Sequence, residues 1–200
     1  MSLVANPDQI ILIDKPAGIS SFGVVAIVRR HLTRLLGRRV KVGHCGTLDP
    51  FATGLLILVS GRNTRRASEF SGLDKVYQAT IRLGARSTTG DPEGEITESH
   101  SRAPSLEHIR EVLSQFTGQI QQVPPSYSAI KVNGRRAYQL ARAGKPVALS
   151  PRTVWVYAIE LVGYSYPELT IKTKVSSGTY IRSLASDMGE RLGTGAYTVA

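Results

Sequence analysis

The chain has 200 residues, of which 42% are hydrophobic and 20% are charged, and it contains a single cysteine. This length suits one large domain, and the composition excludes a chain that is disordered throughout. The longest apolar run, residues 55–59, is far shorter than the roughly 20 residues that cross a bilayer. One cysteine cannot form an intrachain disulfide and suits a reducing compartment, so we expect a cytoplasmic protein. Besides this cysteine, the candidate zinc ligands are four histidines that are scattered along the chain. We therefore expect no metal site.

The charge is strongly positive and unevenly distributed. The formal net charge is +10, which favours an anionic partner, nucleic acid before an acidic membrane surface. Residues 15–48 and 112–159 contain basic residues but no acidic residue. A solvated basic face remains the alternative explanation for each stretch.

The first half of the chain alternates short apolar segments with turn-forming and helix-capping residues. The pattern predicts a buried strand at 9–13, a turn at 14–18, a helix from a Ser21 cap to Leu36 that ends at Gly37, and a second buried strand at 54–60. It continues with a short helix from Asn63 or Thr64, a half-buried strand at 76–83, a loop or hairpin tip at 84–95, and a helix from a Ser105 cap to Phe116.

The second half is interrupted by turn signals before it becomes regular again. Pro124-Pro125 limits regular structure within 119–131, and Asn133-Gly134 marks a turn. The later elements are a basic helix at 135–143, strands at 154–162 and 169–175, a helix at 180–192, and the start of a strand at 196–200. We predict an α+β fold with a mixed, largely antiparallel sheet and flanking helices, since strict βαβ alternation is missing.

The most distinctive segment is Gly43-His44-Cys45-Gly46-Thr47-Leu48-Asp49-Pro50-Phe51-Ala52-Thr53-Gly54. Its glycines allow a close approach of the backbone to another surface, and Pro50 biases Asp49 towards an extended conformation. A phosphate-binding loop, a serine nucleophile elbow and a zinc-protease motif are all missing from the sequence. Cys45 beside His44 fits a small buried cysteine better than a thiol nucleophile.

Five motifs, in order along the chain, resemble the TruB family of tRNA pseudouridine synthases. They are Asp14-Lys15-Pro16-Ala17-Gly18-Ile19-Ser20-Ser21, the segment 43–54, Lys75-Val76-Tyr77-Gln78-Ala79, the segment 124–131 with Gly134, Tyr138 and Ala141-Arg142, and Ser177-Gly178-Thr179-Tyr180-Ile181-Arg182-Ser183-Leu184. The resemblance covers residues 11–195. It implies a pseudouridine-synthase-like fold that converts a uridine of tRNA, at position 55 of the TΨC loop, into pseudouridine without any cofactor.

The resemblance also implies a role for individual residues. Asp49 is the expected catalytic aspartate, Tyr77 packs on the target base, Arg182 pairs with Asp49, and His44 fills the space that the flipped nucleotide leaves in the RNA loop. Tyr180 either lines the pocket or is a core residue. Lys15 is expected to contact RNA phosphates, together with Arg29, Arg30, Lys131, Arg135, Arg136 and Arg142.

The expected partner is tRNA, and no protein partner, membrane or metal is implied. Residues 1–200 are expected to form a catalytic domain that stops before its C-terminal end. Within it, residues 121–151 form a thumb-like RNA-binding insertion that is mobile in the free protein and closes on RNA. Two alternatives stay open: a non-catalytic module that binds or folds tRNA on the same scaffold, and the guide-RNA-dependent branch of the superfamily. The insertion at 127–131 favours the stand-alone tRNA branch over the guide-RNA-dependent branch.

Overall fold

The structure, a computed structural model, describes residues 6–99, 101–132 and 134–200. Asn133 of the predicted Asn-Gly turn lies outside the described residues. The chain forms two compact units, Met1–Leu73 and Asp74–Ala200. No helix within the described ranges is long and apolar enough to cross a membrane.

The first unit is a small antiparallel sheet with a helix on one face. Strands β1 (Ile10–Lys15), β2 (Val42–His44) and β3 (Gly54–Ser60) pair in the order β1-β3-β2. Helix α1 (Ser21–Leu36) buries Val24 and Val25 against Leu56 and Leu58 of β3. A 3₁₀ turn (Gly61–Arg66) and the short helix α2 (Ala67–Ser71) end this unit.

The N-terminus of α1 differs from the sequence prediction by one residue. Ser20, not Ser21, is the cap: its φ and ψ are extended, and its side chain accepts a hydrogen bond from the amide of Gly23. Ser21 is the first helical residue, and its side chain is buried. Two consecutive serines make the pattern ambiguous, and the hydrogen bonds of Ser21 to a distant loop decide the register.

The second unit is built on a five-stranded antiparallel sheet. Its strands are β4 (Lys75–Leu83), β7 (Gly118–Gln122), β10 (Arg152–Ser165), β11 (Glu168–Val175) and β12 (Ala196–Thr198). They pair in the order β12-β4-β11-β10-β7. Helices α3 (Leu106–Gln115) and α5 (Ile181–Arg191) pack on one face and share its apolar core with β4 and β11. A small hairpin of β5 (Ala85–Ser87) and β6 (Ile96–Glu98) follows β4.

The predicted insertion occupies the connection between two paired strands. β7 and β10 are hydrogen-bonded neighbours, and the chain between them contains β8 (Lys131–Val132), β9 (Arg135–Arg136) and α4 (Ala137–Arg142). The predicted helix at 135–143 is therefore shorter than expected, because its first two residues pair with β8. The segment 123–151 thus connects two adjacent strands, and its role as a thumb-like RNA-binding insertion at 121–151 stays a prediction.

The α+β class and the predominantly antiparallel pairing are confirmed. Every pairing among the described strands is antiparallel. The sequence pattern missed β2 because a three-residue strand containing glycine carries no periodicity. β2 is a strand because it pairs with β3, from Val42 opposite Ser60 to His44 opposite Leu58.

Candidate active site

Asp49 lies in the loop between β2 and β3, and backbone hydrogen bonds fix this loop at several points. The carbonyl of Asp49 accepts from the amide of Ala52 at 3.1 Å, and the carbonyl of Pro50 accepts from the amide of Gly18 at 2.8 Å. Gly18 has a positive φ of 83°, a conformation that glycine adopts without the penalty other residues incur. The half-buried Asp49 carboxylate is therefore carried by a loop that is tied to the turn after β1.

The structure corrects the prediction that Lys15 contacts RNA phosphates. Its side chain is completely buried, and its ammonium donates to the carbonyls of Pro16 and Ile19, each at 2.8 Å, and of Pro50 at 3.2 Å. These three acceptors match the three donors of an ammonium group. Burial lowers the pKa of Lys15, and the negative charge of Asp49 opposes that shift. Lys15 therefore binds the backbone of the Asp49 loop, and its ammonium group does not extend to a ligand.

Ser21 supplies a second fixed point, directly beside Asp49. Its hydroxyl donates to the carbonyl of Leu48 and accepts from the amide of Leu48, both at 2.9 Å. The pair of bonds joins the first turn of α1 to the residue before Asp49. It restricts the backbone torsions on the N-terminal side of Asp49, as Lys15 does through Pro50 on the other side.

His44 ends β2 and begins the Asp49 loop. Its side chain is half-buried, and its buried Nδ1 atom has no hydrogen-bond partner within the described part of the chain. A buried polar atom without a partner is uncommon in native structures and calls for an explanation. The predicted position of His44 against the RNA substrate stays a prediction.

Tyr77 and Tyr180 belong to the second unit. Tyr77 is half-buried on β4, opposite Thr173 of β11, on the strand face that also carries Ala79 and Ile81 of the core. Tyr180 precedes α5 in an extended conformation and is also half-buried. Both residues are thus partly accessible, and their contact with the target base stays a prediction.

Arg182, in the first turn of α5, is buried and ion-paired rather than exposed at the surface. Its guanidinium contacts the carboxylate of Asp91 at 3.0 Å, and both side chains are only 6% exposed. It also donates to the carbonyls of Thr89 and Tyr127, each at 2.8 Å. The expected pairing of Arg182 with Asp49 stays a prediction.

Sequence reasoning missed Asp91, which it assigned only to an acid-rich loop. Asp91 is 4% exposed and accepts hydrogen bonds from the Thr89 hydroxyl at 2.5 Å and the Glu93 amide at 3.1 Å. The signal was present, since Gly90-Asp91-Pro92 repeats the glycine-rich Asp-Pro pattern that singled out Asp49. The neighbouring Glu93 is exposed, so the pattern, not the charge, identifies the buried acid.

Gln122 is a second residue that the sequence analysis did not single out. It is the last residue of β7 and is 1% exposed. Its amide group donates to the carbonyl of Tyr180 at 3.0 Å and accepts from the Tyr180 amide at 2.8 Å. Beside it, the Ser183 hydroxyl donates to the carbonyl of Val123 at 2.7 Å. The first turn of α5 is therefore attached to the root of the insertion.

The predicted RNA-backbone residues differ in their surroundings. Arg29 and Arg30 line a cleft on α1. In the insertion, Arg136 donates to the carbonyl of Ala129, and the Arg142 guanidinium lies 5.8 Å from the centre of the Tyr138 ring. Lys131 on β8 and Arg135 on β9 are exposed. Within the described ranges, no group of three or more His, Cys, Asp or Glu side chains is placed to hold a metal ion.

The sheet, the motif loop and the buried arginine define the class of this protein as a pseudouridine-synthase-like domain, and comparison with known proteins gives the family. The sequence profile described as "TruB family pseudouridylate synthase (N terminal domain)" matches residues 32–181. The chain belongs to the TruB family.

Similar proteins cover nearly the whole chain. "tRNA pseudouridine synthase B" of Phocaeicola vulgatus is 44% identical over 94% of this chain and 81% of its own length. The proteins of the same name from Aquifex aeolicus and Burkholderia mallei are 44% and 43% identical, but the chain spans only 65% and 61% of their lengths.

Solved structures agree in fold. A Cbf5-Nop10-Gar1 complex contains a chain with a TM-score of 0.68 and 31% identity, matched over 94% of this chain and 46% of that one. An H/ACA RNP bound to a substrate RNA containing 2'-deoxyuridine gives a TM-score of 0.65 and 28% identity, over 94% and 44%. The shared fold confirms the pseudouridine-synthase-like architecture that the resemblance implied.

Proposed function

We propose that this chain converts a uridine of tRNA, at position 55 of the TΨC loop, into pseudouridine, with Asp49 as the essential carboxylate. The observation that carries the proposal is the fixation of the Asp49 loop by Lys15 and Ser21, in a chain of the TruB family. A catalytic group is most effective when its surroundings hold it in place before substrate arrives. The relatives named tRNA pseudouridine synthase B support tRNA as the substrate, and we place the activity in the cytoplasm.

The reaction needs a carboxylate and no redox partner. The bond between N1 of uracil and C1′ of ribose breaks, the base turns, and a bond between C5 and C1′ forms. C5 loses a proton and N1 gains one, so the product is an isomer of the substrate. A positioned carboxylate can attack C1′, attack the base, or remove a sugar proton, and the proposal holds for each of these roles of Asp49.

The other candidate residues would act around Asp49. The target base must leave its stack in the RNA before it can react, and the Tyr77 ring, with Tyr180, would hold it by stacking. Arg182 would keep Asp49 ionised and oriented, because a neighbouring guanidinium stabilises the charged form of a carboxylate. His44 would occupy the place that the base leaves in the RNA loop.

The insertion would grip the RNA backbone. Its described residues include exposed basic side chains and no acidic side chain, and a phosphate backbone supplies the missing opposite charge. The RNA-contacting residues we propose there are Lys131, Arg135, Arg136 and Arg142.

The decisive experiment is incubation with an unmodified tRNA transcript followed by mapping of pseudouridine. Formation at position 55 alone supports the whole proposal. Formation at another uridine would retain the reaction and correct the site. Binding of tRNA without any isomerisation, under conditions where a full-length relative reacts, would favour the non-catalytic tRNA-binding alternative.

A further inference from the structure

We propose that a cleft on α1 binds the sugar–phosphate backbone of the RNA substrate. The cleft is lined by Ala26, Arg29, Arg30 and Thr33 of α1 and by Arg39, which follows the helix. Its volume is about 320 Å³. This inference rests on the proposed function, since the tRNA substrate supplies the ligand.

The geometry of α1 explains how the cleft forms. Residues 26, 29, 30 and 33 share one side of the helix, since residues three and four apart lie above one another. The adjacent side of the helix carries the buried Val25 and Leu32. Gly37 ends the helix with a φ of 64°, and this left-handed residue turns the chain so that Arg39 closes the cleft.

The side chains at the bottom of the cleft are small. Ala26 and Thr33 are half-buried, and their short side chains line the open space beside the arginines. The Thr33 hydroxyl is a neutral donor beside the guanidinium groups. A phosphodiester group, which is compact and accepts hydrogen bonds on several sides, fits a cleft that is lined by small side chains and by several hydrogen-bond donors.

The three arginines of the cleft lack an opposite charge. None of Arg29, Arg30 and Arg39 forms an ion pair with any acid that the structure describes. By contrast, two exposed arginines elsewhere form ion pairs, Arg66 with Glu69 and Arg86 with Glu190. Three guanidinium groups around one cleft repel one another, and a bound phosphate relieves this repulsion while accepting paired hydrogen bonds from the planar groups.

One of these arginines is already oriented. The Arg29 guanidinium lies 5.9 Å from the centre of the Phe22 ring, within the range of a cation–π contact, and Arg29 is half-buried. A side chain that is held before binding loses less conformational freedom when the ligand arrives. Phe22 itself is 62% exposed, so an aromatic face lies beside the basic cleft, a combination typical of surfaces that bind RNA.

The test compares two triple variants that remove the same charge. The cleft variant is Arg29→Gln, Arg30→Gln and Arg39→Gln. The control is Arg34→Gln, Arg38→Gln and Lys41→Gln, which changes exposed basic residues of the same helix and loop outside the cleft. We measure the Kd for an unmodified tRNA transcript over a series of salt concentrations, with thermal unfolding of both variants as the check on folding.

We expect the cleft variant to bind tRNA at least tenfold more weakly than the control. The slope of log K against log salt should fall by roughly 0.7–0.9 for each phosphate that the variant no longer neutralises. If the folding check fails for the triple variant, Arg30→Gln with Arg39→Gln, both exposed, is measured instead, with the same expected direction.

Several outcomes would overturn the inference. Equal Kd values for the two variants would mean that only the overall charge matters. Unchanged tRNA binding together with weakened binding to phosphatidylserine vesicles would assign the cleft to a membrane surface. Pseudouridine formation by the wild-type chain is measured on the same transcript, so that failure of the proposed function is seen there and is distinguishable from a failure of the cleft, which appears only in the Kd.

Discussion

Gln122 and Tyr180 exchange two hydrogen bonds across 58 positions of the chain, at 3.0 and 2.8 Å. This exchange joins the end of β7, where the insertion begins, to the residue that precedes α5 and Arg182. Tyr127 inside the insertion accepts a further bond from Arg182 itself. The root of the insertion and the buried arginine therefore form one hydrogen-bonded assembly.

Gln122→Met removes both bonds while keeping a side chain of similar length. We expect the free energy of unfolding to fall by about 1–3 kcal/mol, because the Tyr180 amide loses the Gln122 acceptor, although the Tyr180 carbonyl still accepts from the Leu184 amide at 3.1 Å. We also expect turnover to fall more than tRNA affinity, since Tyr180, which loses its bonds to Gln122, lies two positions before Arg182. Chemical denaturation, turnover and Kd measure the three effects. Gln119→Met, an exposed position of the same strand, is the control, and an equal effect there would contradict the assignment.

Asp91→Ala removes the carboxylate that contacts the buried Arg182 guanidinium at 3.0 Å. Breaking one side of a buried ion pair typically costs about 3–5 kcal/mol, so we expect a loss of this size in urea denaturation. The control is Glu98→Ala, because the pair of Arg82 with Glu98 is 39% and 58% exposed and such pairs contribute at most about 1 kcal/mol. Similar losses of stability in the two variants would show that the buried Asp91 pair contributes no more than the exposed pair.

Asp49→Asn tests the catalytic carboxylate. We expect pseudouridine formation to be abolished, because the amide is neither a nucleophile nor a base, while the Kd for tRNA stays within a few fold. Removal of a negative charge near phosphates can even tighten binding. Asp14→Asn, an exposed carboxylate at β1 in the same unit, should retain activity. Substantial turnover by Asp49→Asn would refute the role of Asp49.

Asp187 on α5 gives a pH-dependent prediction. Burial raises the pKa of its carboxyl group, and the nearby Glu190 raises it further. Because the pKa is higher in the folded than in the unfolded chain, the folded protein loses stability as the pH rises from the ordinary Asp range through the raised pKa. Asp187→Asn should therefore increase the free energy of unfolding at neutral pH and leave it unchanged in acid. Urea denaturation across this pH range checks it, and a pH-independent difference would contradict it.

Hydrogen exchange and salt dependence together test closure of the insertion. Hydrogen bonds from Arg182 and Ser183 hold its root at Tyr127 and Val123, whereas the described residues of its tip form two-residue strands and a six-residue helix. We expect slow exchange at the root in the free protein, and slow exchange of amides 131–149 only with tRNA bound. Equal protection of the tip in both states would indicate a rigid basic hairpin.

The salt measurement shows whether the closed insertion meets phosphates. Arg135→Gln, Arg136→Gln and Arg142→Gln together should flatten the salt dependence of tRNA binding by roughly 0.7–0.9 for each phosphate left without its arginine. Arg102→Gln, Arg110→Gln and Lys172→Gln remove the same charge from positions outside the insertion. An equal change in the salt dependence of this control would show that the effect depends only on net charge.

The sequence by itself determined the fold class, the family resemblance and the Asp49 loop. These features depend on residue types at short, fixed spacings, such as an aspartate before a proline among glycines or alternating apolar residues in a strand. The basic, acid-free stretches likewise predict an anionic partner without any coordinates. Local pattern carries this information because the physical requirement, a tight turn or a buried strand face, is itself local.

Only the tertiary structure decided what Lys15, Asp91 and Gln122 do. Lys15 looked like a phosphate ligand, but Pro50, 35 positions away, supplies one of the carbonyls that enclose its ammonium. Asp91 meets Arg182 across 91 positions. A buried polar group is placed by its hydrogen-bond partners, and no spacing in the sequence reveals partners that the fold brings together from distant elements.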